Sequence, residues 1–230
     1  MKYSNLKNQT IDSKTFADGL DIENCQNLTI SNCIITGGNP NLLMLSCINC
    51  TIIKCNFSLP LNKPDESGNG PHSVLFDKCS LCAIRDSEIK RIAYSEMGIG
   101  LYMSVNCSII NCHIYGKSVR QSGDAITIDR GSKNCNVSGN KIDLSFNGKK
   151  MGHKAIVIGS GYGHTLTMDS GCISGSVEDR PISVASYYDP SGNPLEDDCD
   201  PKAAKVGPVT LVGFDKNLVY VGPKCEVVFK

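Results

Sequence analysis

The chain has 230 residues, 40% of them hydrophobic, with 22 glycines, 10 prolines and no tryptophan. That is enough apolar material for one sizeable core in a single domain. Its 23 lysines and arginines balance 23 aspartates and glutamates; a duplex-binding protein would carry a basic excess, which argues against a nucleic-acid partner. No apolar run approaches the roughly 20 residues of a membrane-spanning helix, so no membrane partner is expected. The polar start Met1-Lys2-Tyr3-Ser4-Asn5 lacks the apolar stretch of a secretion signal.

Residues 1–18 carry no copy of the pattern that follows and are read as an N-terminal cap, because an open coil end exposes unpaired strand edges. From residue 19 a short alternating strand alternates with a nine-residue pattern. The strands carry the apolar pairs Leu20/Ile22, Leu43/Leu45, Val74/Phe76, Ile99/Leu101, Ile126/Ile128 and Ile156/Ile158, with Ile182/Val184 after the last copy. The copies are NLTISNCII (27–35), NCTIIKCNF (49–57), LCAIRDSEI (81–89), NCSIINCHI (106–114), NCNVSGNKI (134–142) and TLTMDSGCI (165–173). Their fourth places, Ile30, Ile52, Ile84, Ile109, Val137 and Met168, lie 22, 32, 25, 28 and 31 residues apart. Apolar spacing by two puts each pair on one face of a strand. A minimal unit with variable insertions is the signature of a solenoid. The fold is read as all-β: a parallel β-helix of about seven coils over 19–185, with its fourth places in one inward column. Residues 186–207 form a polar Pro/Gly-rich loop, and runs at Val209–Val212, Leu218–Val221 and Glu226–Phe229 read as short strands. The segment 186–230 is therefore a C-terminal β cap, or a surface for oligomerisation with a second copy.

The 13 cysteines cannot all pair within one chain. Two C-x-x-C pairs, Cys47/Cys50 and Cys79/Cys82, have the composition of a zinc site. However, Cys50, Cys82, Cys107 and Cys135 share the second repeat place, while Cys33, Cys55 and Cys112 share the seventh. Stacked coils put such residues about 4.8 Å apart, which makes ladders of small buried thiols. The thiols are read as structural, reduced and without metal, in a protein made in a reducing cytoplasm. Six Asn-x-Ser/Thr sequons begin at Asn8, Asn27, Asn49, Asn56, Asn106 and Asn136, and asparagine used for turns explains them.

The stretch SGDAITIDRGSKNCNVSGNKI followed by HKAIVIGSG, from residue 122, and Arg180-Pro181 resemble the pectate-lyase-like superfamily of right-handed β-helices. The resemblance implies the right hand and a calcium-assisted β-elimination on uronate-containing polysaccharide. Lys154 and Arg180 would then be the catalytic residues and Asp129 a calcium ligand. The match departs from the family at two places: its acidic calcium position falls on Thr127, between Asp124 and Asp129, and its arginine position falls on Asp179. One place in a strand reverses a side chain's direction. The preferred reading is therefore a non-catalytic structural or adhesive β-helix, such as a component of a virus or phage particle, with no cofactor. Its partners would be polysaccharide or other protein subunits, with Asp124, Asp129, Tyr187 and Tyr188 as ligand-binding candidates. Thr127 and Val157 should be neighbours on one outward face. His113, His153 and His164 are read as ordinary loop residues.

Overall fold

The computed structural model describes residues 1–58, 72–90, 97–115, 124–144, 156–158, 161–162, 165–167, 172–175, 182–184, 205–212, 219–221 and 226–229. Among these residues every regular element is a β-strand, and the strands pair in parallel from coil to coil. One coil shows the plan. Leu20–Glu23 lies in a first sheet, Thr29–Ser31 in a second and Ile34–Thr36 in a third; the chain then returns to the first sheet at Leu42–Leu45. The first sheet holds nine strands, from Lys2–Ser4 to Tyr220–Val221. The second and third start at Thr10–Asp12 and Thr15–Phe16, and the long strand Lys205–Val212 pairs with the ends of both.

The core is a set of columns running along the stack. Ile11, Ile30, Ile52, Ile84, Ile109 and Val137 stand side by side in the second sheet, and all are buried. Phe16, Ile35, Phe57, Ile89, Ile114, Ile142 and Ile173 form the column of the third. The last place of the second-sheet column is a correction: Val137 pairs with Leu166, not with Met168, and Met168 lies outside the described residues. Leu166 and Ile173 are seven apart where Val137 and Ile142 are five apart. Two extra residues between these strand positions therefore slid the gapless register.

Two further expectations are corrected. In the third coil the inward pair is Leu42/Met44, both fully buried, while Leu43 and Leu45 are partly exposed on the outer face. Both pairs alternate in the run Leu-Leu-Met-Leu, so alternation alone cannot choose; the distance to the next inward cysteine does. Ile22 precedes Cys25, Met44 precedes Cys47 and Phe76 precedes Cys79, each by three. The second correction concerns residues 1–18, which form a coil of the same kind, with Ile11 beside Ile30 and Phe16 beside Ile35. Its second and seventh places hold Gln9 and Lys14, both exposed, and this polar substitution at the end of the stack hid the copy. The three C-terminal runs join this chain's own last coils: Tyr220–Val221 pairs with Ile182–Val184, and Glu226–Phe229 pairs with Lys205–Val212.

Three of the four corners are built on the left-handed backbone. Asn5, Asn24, Ser46, Lys78, Met103 and Arg130 form one column; Asn8, Asn27, Asn49, Leu81, Asn106 and Asn134 a second; Ser13, Asn32, Lys54, Asp86 and Asn111 a third. All have φ between 47° and 59°. Asparagine tolerates this region better than other residues with a Cβ, because its short amide bonds locally. In the second column the amides also bond along the stack: Asn27 Nδ2 donates to Asn8 Oδ1 at 2.7 Å, and Asn49 Nδ2 to Asn27 Oδ1 at 2.8 Å. The turn reading of the sequons thus holds at Asn8, Asn27, Asn49 and Asn106, whereas Asn56 and Asn136 stand in strands.

Inside those corners run the ladders of small polar side chains. Ten cysteines among the described residues are free and buried, including Cys50, Cys82, Cys107 and Cys135. Several ladder residues serve the coil before them. Cys82 Sγ lies 3.4 Å from the Cys47 carbonyl and accepts the Cys50 N–H at 3.4 Å. Where cysteine is absent, a hydroxyl or amide does the same: Ser87 Oγ accepts from Cys55 N, Ser104 Oγ from Cys79 N, and Asn140 Oδ1 from Cys112 N. Corner amides that no strand can pair are satisfied by these side chains. Burial pushes the Cys55 and Cys112 thiols up to about 12 and that of Cys135 up to about 11.

Candidate functional site

The fourth corner, from the third sheet back to the first, is where the coils differ. The connections there are residues 59–71, 91–96, 116–123 and 145–155 in successive coils, whereas the three left-handed corners keep nearly constant spacing. Insertions on one corner leave the neighbouring outer face of the first sheet as the surface most free to vary, and loops carried on a rigid scaffold are where binding residues concentrate.

That outer face has two columns. In one, Asp21, Leu43, Leu75, Gly100, Thr127 and Val157 stand side by side; in the other, Glu23, Leu45, Asp77, Tyr102 and Asp129. The expected neighbours Thr127 and Val157 are in register. Glu23 is held by Lys2, whose Nζ lies 2.7 Å from its carboxylate. Beyond the apolar pair Leu43 and Leu45 the second column turns polar, with Asp77, Tyr102 and Asp129. Gly100, which is buried, stands without a side chain between Leu75 and Thr127. The Arg130 guanidinium lies over the Tyr102 ring, 4.3 Å from its centroid, a geometry favoured by the ring's negative face. Asp129 Oδ1 accepts the backbone N–H of Arg130 at 2.7 Å, which fixes the left-handed corner.

Outward residues on a solenoid are ordinarily solvated, but Thr127 is 4% and Asp129 8% exposed. Two of the polar atoms here are buried with no hydrogen-bond partner in the structure, Asp77 Oδ1 and Thr127 Oγ1. Ser73 Oγ and Asn41 Oδ1 share this condition at the inserted corner, although Asn41 Nδ2 donates to Gly37 and Ser58 carbonyls. Natural proteins satisfy nearly all buried polar groups, and exceptions gather where water, an ion or a ligand completes the set. A second, smaller feature lies on the third sheet, where the His113 and Tyr115 rings stack at 4.5 Å and His113 Nε2 is buried without a partner. His113 is thus a strand residue rather than the loop residue expected.

Of the sequence-derived candidates, Asp124 and Asp129 are described and stand at opposite ends of the strand Asp124–Asp129. Five residue steps in a strand separate them by roughly 16 Å, too far to share one calcium ion, whose ligands lie at about 2.3–2.6 Å. Among the described residues, no group of three or more His, Cys, Asp or Glu is arranged to hold a metal ion. The described acids Asp124 and Asp129 are not placed to hold one calcium ion together. Lys154, Arg180, Tyr187 and Tyr188 lie outside the described residues, as do His153 and His164. Asp77, Gly100 and Tyr102 were not singled out by sequence reasoning. Their signal is parity: Asp77, Tyr102 and Asp129 each follow the second member of an inward pair, Phe76, Leu101 and Ile128.

The family model of the right-handed beta helix region matches residues 2–173. Among solved structures, a mutant DFA-IIIase from Arthrobacter chlorophenolicus A6 in complex with DFA-III is similar at 14% identity over 100% of this chain, with a TM-score of 0.57. DFA-IIIase from the same organism without its lid is similar at 10% identity over 94% of this chain, with a TM-score of 0.51. The chain spans 59% and 55% of the lengths of those two proteins. No curated protein matches it by sequence. At these identities the structural likeness carries the fold alone. Parallel three-sheet coils and a family match over most of the sequence lead to one conclusion: the chain belongs to the right-handed β-helix family.

Proposed function

We propose that the protein is a non-catalytic, adhesive β-helix that holds a glycan on the outer face of its first sheet, around Asp77, Gly100, Tyr102 and Thr127. One observation carries this reading: two outward-facing polar atoms, Asp77 Oδ1 and Thr127 Oγ1, are buried without partners on either side of an aromatic side chain. Sugars present hydroxyl groups to such atoms and apolar ring faces to aromatic side chains. The wider setting we infer is a structural component of a virus or phage particle, made in a reducing cytoplasm. The ten buried free thiols favour assembly under reducing conditions. The lyase alternative draws on Lys154 and Arg180 and gains nothing from the separation of Asp124 and Asp129.

The test is a glycan array with the wild-type protein and Tyr102→Ala. Binding that falls at least tenfold in the variant is expected. Equal binding by both proteins removes the first sheet from the reading. Incubation with polygalacturonate and calcium should give no ultraviolet-absorbing unsaturated product; its appearance replaces the adhesive reading with a lyase.

A further inference from the structure

We infer that the glycan held on the first sheet is neutral and hydroxyl-rich, not a uronate polymer; the inference rests on the site proposed above and names its ligand class. Asp77 Oδ1 is a buried acceptor with no donor in the structure. A neutral sugar hydroxyl supplies the missing donor. A uronate carboxylate has none to give at neutral pH and brings a second negative charge to the same place.

The surroundings favour the same class. Along the two outer columns the described acids are Asp21, Glu23, Asp77 and Asp129. Of the described basic side chains here, Lys2 is paired with Glu23, and the Arg130 guanidinium covers the Tyr102 ring. Thr127 is an independent sign of a ligand. The residue faces outward yet is 4% exposed, its hydroxyl is buried without a partner, and it stands next to Gly100. A hydroxyl both donates and accepts, as a sugar hydroxyl does. Acceptor and hydroxyl together match a polyol edge.

Calorimetry with dextran, laminarin and galactomannan as neutral glycans, and polygalacturonate and chitosan as charged ones, tests the inference. Each is titrated into wild type, Asp77→Asn, Thr127→Val and Tyr102→Ala, with folding of every variant checked by thermal melting. The expected result is binding of a neutral glycan that changes less than twofold between low and high salt. Asp77→Asn and Thr127→Val each weaken it tenfold or more. Preference for polygalacturonate or chitosan, with affinity falling steeply in salt and lost in Tyr102→Ala, overturns the ligand class while keeping the site. Binding that none of the three substitutions alters overturns the site itself. Failure to bind any of the five glycans overturns both.

Discussion

At the scale of single residues, the corner ladders show why cysteine is abundant without forming bridges. The place needs a side chain small enough for a coil corner, able to donate to a carbonyl and to accept the neighbouring coil's amide. Cysteine, serine and asparagine all meet this need at different coils. Ser87 is the clearest case, since its Oγ accepts the Cys55 N–H and lies 2.9 Å from the Arg85 carbonyl, and the residue is buried. Ser87→Ala leaves that buried N–H without an acceptor and should cost about 1–3 kcal/mol in denaturant unfolding. Ser87→Cys restores the ladder and should lose far less. Equal losses for the two would mean that the ladder packs without bonding.

At the scale of the strand, stability rests on columns in which each aliphatic side chain touches its equivalents above and below. Ile109 stands between Ile84 and Val137 and is fully buried. Ile109→Ala should cost about 2–5 kcal/mol, the range for truncating a packed core aliphatic; a smaller loss would mean that the coils can close the gap. This column was legible as far as Val137 because the second and third strands keep one spacing up to there, and it was lost at Leu166, where the spacing grows by two. The first strand was less so, since Leu42 to Leu45 offers four apolar residues and two possible faces. The first coil was hidden because Gln9 and Lys14 replaced apolar residues where no further coil needs them. The site was harder still. Asp77 and Tyr102 belong to different repeats, 25 residues apart, and stacking alone makes them neighbours.

At the scale of the molecule, the buried thiols couple the stack to pH. Cys55, Cys112 and Cys135 are held protonated in the fold to about 12, 12 and 11, against 9.0 for an ordinary thiol. The unfolded chain therefore releases these protons first. Their contribution is complete below pH 9 and is lost as pH rises from there through the folded values. Unfolding free energy measured from pH 8 upward should fall with a slope that several thiols share. Replacing Cys55 and Cys112 together by serine should flatten that slope. A slope unchanged in the double variant would assign the alkaline loss to other groups.

The uneven corners of the coil have a practical consequence. Three corners are built on left-handed residues and on side chains that serve the preceding coil, and they keep nearly constant spacing as far as Val137. The fourth already admits connections of very different length without shifting the strands that follow. It is the seam at which a foreign peptide can be grafted. Epitopes spliced into successive coils there would be displayed in a row at the coil-to-coil pitch, about 4.8 Å, on a scaffold that need not be redesigned to carry them.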